Sequence, residues 1–260
     1  PYTLLHLSDV HLSEYDERSG RDERAGAIRQ NHVWECNRVG FARRFGDSVA
    51  RAHRIPLEGY FRLFAELACE QRPDAVVVTG DLVDAPGGGN FRYLARVLPR
   101  FPSPVLLVRG NHEAGDAPEW QVLYGAHPEW QALRVGRLRL LALDNSRRSL
   151  SRAALEALRA ECAEEGAPPV LCTHIPFRTP GNAAFFDALE PYYSMSGDDA
   201  ETAEFLDYFL SPACPVRLHL CGHIHGFSDT EPARGKRQLT ASSAMIGGGT
   251  LLRLTPEASE

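Results

Sequence analysis

Apolar residues fall along this chain in two alternating rhythms. Thr3–Leu7, Ala75–Val78, Val105–Val108, Val170–Thr173 and Val216–Cys221 read as strands. Of these, Ala75–Val78 and Val105–Val108 are apolar throughout, as strands buried on both faces are. Between them lie amphipathic stretches. Leu57–Glu70 sets Leu57, Phe61, Phe64 and Ala68 on one helical face. Phe91–Leu98 and Asp198–Leu210 repeat that spacing, and a further helix starts at Ser151, a plausible N-cap, and runs to about Glu164. Leu133–Leu143, broken at Gly136, predicts a hairpin. Gln238–Ala241 and Thr250–Leu254 are further strands. Strands separated by helices imply βαβ units and a largely parallel sheet in the first half; the later hairpin and terminal strands imply mixed pairing.

Two stretches break the rhythm. Residues 13–54 are rich in charge, yet Trp34, Phe41 and Phe45 require some packed helix there. Pro176 to Asp198 is rich in aromatic and turn residues. Long connections in a compact domain are usually functional, so both are expected as loops or caps above one end of the sheet. Gly87-Gly88-Gly89 and Gly247-Gly248-Gly249 lack the lysine and the spacing of phosphate-cradling loops and read as flexible turns.

The 260 residues suit one large domain or two small ones. Lys+Arg 28 against Asp+Glu 34 gives a net charge of −6. That excludes a global basic field for gripping nucleic acid and leaves a local groove open. No apolar run approaches the roughly 18 residues of a membrane helix, and Pro1 to His6 carries no basic segment of a secretory signal. None of the six cysteines forms a C-x-x-C pair, and Cys172 and Cys221 sit inside apolar runs. A reducing cytoplasm is the expected compartment.

Several strands end in polar clusters. Ser8-Asp9-Val10-His11 follows the first, Gly80-Asp81-Leu82-Val83-Asp84 the second and Gly110-Asn111-His112-Glu113 the third. His174 follows Val170–Thr173, and Gly222-His223-Ile224-His225 follows Val216–Cys221. Any one of these alone reads as a cap, a turn or a core histidine. Parallel α/β sheets, however, gather ligands at the carboxyl ends of their strands. Together the five deliver an inventory of metal ligands to one rim. Two divalent ions about 3.5–4 Å apart clamp the attacking and leaving oxygens of a phosphoryl centre. Holding them so close needs a bridging carboxylate, and Asp81 is the natural choice. Mixed carboxylate, amide and imidazole donors suit Mn, Fe or Zn. If D-x-H and H-x-H are extended, residues i and i+2 face the same metal and the middle residue points away.

This pattern resembles the calcineurin-like metallophosphoesterase family in its bacterial five-motif form, from Asp9 to His225. The resemblance implies an α/β fold, a four-layer α-β-β-α sandwich with two mixed β-sheets. It implies a single domain over 1–260, with a cap insertion at 13–56 and a long active-site loop at 176–198. Two divalent metal ions (manganese, iron or zinc) are implied, with Asp9, His11 and His225 on the first, Asn111, His174 and His223 on the second, and Asp81 bridging. His112 matches the family's non-ligand histidine, which assists the leaving group, and Asp84 the acid that orients it. The implied reaction is hydrolysis by in-line attack of a metal-bridging hydroxide, with a small phosphoester as substrate.

Some positions narrow the substrate. Asp84 stands where purple acid phosphatases place a tyrosine ligand. Arg109-Gly110-Asn111-His112-Glu113 is close to the serine/threonine protein phosphatases, but Ala85 stands where those carry a phosphate-binding arginine. The reading leans to phosphodiesters or small organic phosphates. Its alternatives are a phosphomonoesterase or protein phosphatase, and a non-catalytic metal- or nucleotide-binding regulator. His32, Arg38, Arg43, Arg44 and His53 are candidates for facing an anion, most of them otherwise the solvated face of an amphipathic helix. Phe177, Arg178, Phe185, Phe186, Tyr192 and Tyr193 follow His174. Their aromatic rings are candidates for stacking on a base or lining a pocket, about half of them as loop packing.

Overall fold

A computed structural model describes residues 1–52, 55–115, 118–125 and 129–255. In one sheet β1 (Tyr2–Leu7), β2 (Ala75–Thr79) and β3 (Val105–Val108) run parallel, and β10 (Thr250–Leu254) pairs antiparallel with β1. The second sheet has the order β4 (Trp130–Val135), β5 (Leu138–Leu143), β6 (Val170–Cys172), β7 (Leu218–Cys221), β9 (Lys236–Thr240), β8 (Ser228–Ala233). Its four central strands are parallel and its two edge strands antiparallel to their neighbours. Both sheets are mixed, as expected.

The two-residue period of a strand builds the layers. Leu4, Ala75, Val77, Leu106 and Val108 point between the sheets and meet Leu138, Leu140, Val170 and Leu220. Their alternates, Leu5, Leu7, Val76 and Val78, face outward against Phe61 and Phe64 of α3 (Leu57–Gln71) and Leu94 of α4 (Gly88–Val97). On the far side Leu141, Leu143 and Leu171 meet α6 (Arg152–Ala163) and α8 (Ala200–Leu210) through Leu155, Leu158, Phe205 and Phe209. Full burial of a side chain such as Phe61 contributes about 1.5–3 kcal/mol. The helix starts follow the sequence: Ser151 Oγ accepts the Ala154 N–H, and Asp199 accepts that of Thr202.

Residues 13–56 hold a 24-residue helix, α1 (Arg21–Arg44), and one turn, α2 (Val49–Ala52). The buried stripe of α1 is narrow: Ala27, Trp34, Arg38 and Ala42. Trp34 and Ala42 pack with Leu57, Met245 and Ile246. Shorter helices complete the chain, α5 (Glu119–Tyr124) and α7 (Ala183–Phe186). One strand went unread and one reading is corrected. The polar run Ser228–Ala233 is a strand, tolerated with its Pro232 because it lies at a sheet edge. Gly88 and Gly89 are no flexible turn: they open α4, and Glu23 of α1 accepts the Gly89 N–H at 2.8 Å. Among the described residues, no helix is long and apolar enough to cross a membrane.

Candidate metal centre

The carboxyl ends of β1, β2, β3, β6 and β7 meet in one buried cluster. Asp9, His11, Asp81 and His225 turn one ligand atom each toward a common point, and Asp81, His174 and His223 toward a second. His11 Nε2 lies 3.0 Å from His225 Nε2, and His225 Nε2 3.3 Å from Asp9 Oδ1. On the other side His174 Nε2 lies 3.0 Å from Asn111 Oδ1 and 3.2 Å from His223 Nδ1. Asp81 serves both groups through one atom. Its Oδ2 is 3.8 Å from His11 Nε2 and 3.2 Å from His174 Nε2, while its Oδ1 accepts the His112 backbone N–H at 3.0 Å.

The far side of most of these rings fixes the tautomer. His11 Nδ1 donates to Asp84 Oδ1 at 2.9 Å, His174 Nδ1 to the Thr79 carbonyl at 2.7 Å and His223 Nε2 to the Tyr192 carbonyl at 2.7 Å. A ring nitrogen that donates outward leaves its partner nitrogen as a bare lone pair. Lone pairs and carboxylate oxygens are thereby aimed at one another across 3–4 Å, an arrangement that repels itself unless a cation or a ring proton sits within it. Burial, then His174, pushes His223 down to about 3, so it stays neutral. Burial also works against charge on His174, yet the Asp81 carboxylate carries it up to about 9.

The backbone is not extended here, contrary to the simplest reading of D-x-H and H-x-H. Asp9, His11, Asp81, His223 and His225 all have φ between 50° and 71°, the left-handed region that side chains with a Cβ rarely occupy. The middle residues Val10 and Ile224 do point away, into the core, where both are fully buried. Neighbouring loops hold the strained turns. Asp9 N–H donates to the Gly80 carbonyl at 3.0 Å and His11 N–H to that of Asp81 at 2.9 Å. Ser243 Oγ donates to the Asp9 carbonyl at 2.7 Å. Strain of this kind persists where the surroundings over-determine it. Two glycines permit the close approach: a Cβ on Gly110 would collide with Asp81, and one on Gly222 with Ser8.

Asp84 contacts more than His112. Its Oδ1 faces His112 Nδ1 at 3.0 Å and His11 Nδ1 at 2.9 Å; its Oδ2 accepts from Ser13 Oγ and from Trp34 Nε1 at 2.6 Å. Burial opposes its charge, but the two imidazoles hold its carboxyl well below the usual carboxylate range. In return, although burial disfavours a charge on His112, Asp84 and Asp81 lift it to about 8. Sequence reasoning missed two supporting residues. Trp34 lies over His11 with ring centroids 4.0 Å apart, and only its isolation as a tryptophan in a charged stretch hinted at it. Glu113, the last residue of the G-N-H-E block, is fully buried, and its carboxylate accepts the backbone N–H groups of Asp81, Leu82, Val83 and Gly110 at 2.6–3.1 Å.

Comparison with known proteins gives this geometry a family. The sequence profile described as calcineurin-like phosphoesterase matches residues 2–227. The chain belongs to that family. Solved structures similar to it include a dimetal phosphatase from Danio rerio, at TM-score 0.59 and 12% identity over 97% of this chain and 92% of that one. The protein TT1561 of Thermus thermophilus has TM-score 0.51 and 15% identity over 96% and 93%. A purple acid phosphatase from yellow lupin seeds (Lupinus luteus) has TM-score 0.55 and 11% identity over 99% of this chain and 46% of its own. At such identities the likeness shows the fold alone. No curated protein matches the chain.

Calcineurin-like phosphoesterases are dimetal-dependent, and the donor set fits a pair of cations: two converging groups of nitrogen and oxygen lone pairs that share one carboxylate oxygen. Other candidates resolve differently. Arg38 turns inward, to the Ile55 carbonyl at 2.8 Å and to Glu35. His32, Arg43 and Arg44 are exposed, Arg44 lying 5.1 Å over the Tyr193 ring. His53 lies outside the described residues. Arg109 is buried on the Glu113 and Gly115 carbonyls. Of the aromatics after His174, Phe177, Phe186 and Tyr193 are core, Phe185 is partly buried, and Arg178 pairs with Asp187. Tyr192 is 53% exposed beside His223.

Proposed function

We propose that this chain hydrolyses phosphoesters, with a lean to phosphodiesters or small organic phosphates. One cation would be held by Asp9, His11, Asp81 and His225, the other by Asp81, Asn111, His174 and His223. The observation that carries this reading is the single Asp81 oxygen within 4 Å of ring nitrogens from both groups. Two divalent cations, when bound, supply Lewis acidity toward phosphoryl oxygens and a water that loses its proton near neutral pH.

The residues supply position and a proton. His112 stands at the edge of the centre with 29% of its side chain exposed, and Asp84 favours its charged form. It is placed to protonate the leaving oxygen. A cavity of about 470 Å³ opens beside it, lined by Ser13, Glu14, Gln30, Asp84, Asn90 and His112, with room for a leaving alcohol. Manganese, iron and zinc all suit the mixed donors. Cytoplasmic residence is part of this reading, supported by six free cysteines.

The test joins elemental analysis to hydrolysis of bis(p-nitrophenyl) phosphate and p-nitrophenyl phosphate with Mn, Fe or Zn added. Two metals per chain and faster diester cleavage support the proposal as stated. Faster monoester cleavage makes the protein a phosphomonoesterase. Two metals with neither substrate cleaved favour a non-catalytic regulator. His112→Ala is expected to lose most turnover while keeping both metals; near-normal turnover would remove His112 from the mechanism.

A further inference from the structure

Outside the candidate ligands and the helix cap Arg72, one described residue with a side chain has positive φ: Arg148, at 61°. It closes the turn after β5, where its N–H donates to the Asn145 carbonyl at 2.9 Å. An arginine held in this region is costly, and its contacts show what the turn achieves. The guanidinium gathers three carbonyls of one loop: Nη2 donates to Pro191 at 3.2 Å and to Ser194, and Nη1 to Tyr192. The Tyr192 carbonyl in turn accepts from His223 Nε2 at 2.7 Å. The same turn reaches the other ring of this pair. Asn145 is fully buried, and its Oδ1 accepts the backbone N–H groups of His174 and Ile175 at 3.1 and 3.0 Å.

We propose that Arg148 is a positioning residue for the second cation, a proposal that rests on the dimetal reading above. It fixes the 191–194 backbone so that the Tyr192 carbonyl accepts the His223 Nε2–H and leaves Nδ1 as the lone pair facing His174 Nε2 at 3.2 Å. A guanidinium suits the task because its planar fork of five donors serves several carbonyls at once, which an ammonium does less well. Arg148 itself touches neither cation nor substrate; it acts through a backbone carbonyl. Partners one step removed from a metal ligand commonly change metal affinity by 10- to 100-fold.

The experiment titrates chelator-stripped protein with Mn²⁺ by calorimetry and compares wild type, Arg148→Ala and Arg148→Lys, with circular dichroism of each stripped protein as a check on folding. The expected result is an unchanged first step, a second step weakened about 10- to 100-fold in Arg148→Ala, and partial recovery in Arg148→Lys. Identical second steps in all three overturn the proposal. Should Arg148→Ala fail to fold, the Lys variant and the ring ¹⁵N spectrum of wild type decide instead: His223 protonated at Nε2 supports the proposal, and protonation at Nδ1 overturns it. Wild type binding fewer than two ions would defeat the dimetal reading and this proposal with it, whereas two wild-type steps that both substitutions leave unchanged would overturn this proposal alone.

Discussion

Trp34 donates its indole N–H to Asp84 Oδ2 at 2.6 Å across fifty positions of sequence. The donor comes from α1, the acceptor from the loop after β2. Asp84 also receives His11 and His112, so this one hydrogen bond ties α1 to a candidate ligand and to the candidate proton donor. Trp34→Phe keeps the ring over His11 and removes only the donor. Hydrolysis should fall about tenfold, equivalent to about 1.4 kcal/mol, with the fold intact by circular dichroism. Unchanged turnover would show that Ser13 alone satisfies Asp84.

Metal removal should destabilise the chain. Cations binding only the folded state stabilise it by about 2.7 kcal/mol at a hundredfold excess over Kd. For a chain of this length that is about 5–10 °C in Tm. Thermal denaturation after EDTA treatment, and again after Mn²⁺ is restored, measures it. A Tm indifferent to both would argue against any bound cation.

Glu113 gathers four backbone N–H groups around the Asp81 turn. Glu113→Gln replaces one acceptor oxygen with a donor facing donors. Leaving buried N–H groups unpaired costs about 1–3 kcal/mol, so the expected loss in Tm is about 2–10 °C, together with weaker metal uptake. A variant as stable as wild type would mean that the turn holds its shape without this carboxylate.

Glu14 makes stability depend on pH. Burial, then neighbouring Glu58, pushes its carboxyl up to about 7 against Arg96. The folded chain therefore keeps a proton that the unfolded chain releases near pH 4.5. The associated stability is fully present below pH 4.5 and is lost as pH rises through 7. Glu14→Gln should raise Tm relative to wild type at pH 8 and change it little at pH 4. The same Tm difference at both pH values would contradict this assignment.

The convergence of the candidate ligand motifs was legible because parallel strands fix where their ends lie, and each block follows a strand. Asp9, Asp81, Asn111, His174 and His223 thus share a rim by topology. What escaped is what depends on direction rather than position. The left-handed backbone of Asp9 and His225 leaves no mark in residue type, since neither is a glycine. Trp34 and Arg148 reach across long stretches of chain through side-chain hydrogen bonds, which no local periodicity reveals. Ser228–Ala233 escaped because an edge strand keeps only one neighbour and needs little apolar content.

The five left-handed turns also set this protein's capacity to change. At each, glycine would suit the backbone better than the aspartate or histidine present, because glycine occupies positive φ at no steric cost. A copy of the gene released from selection for chemistry would therefore find mutations that discard a ligand and relax the fold in one step. Loss of catalysis would then be favoured by stability as well as permitted by drift. Aspartate or histidine in place of glycine at all five positions marks a chain held where its own backbone would rather not be.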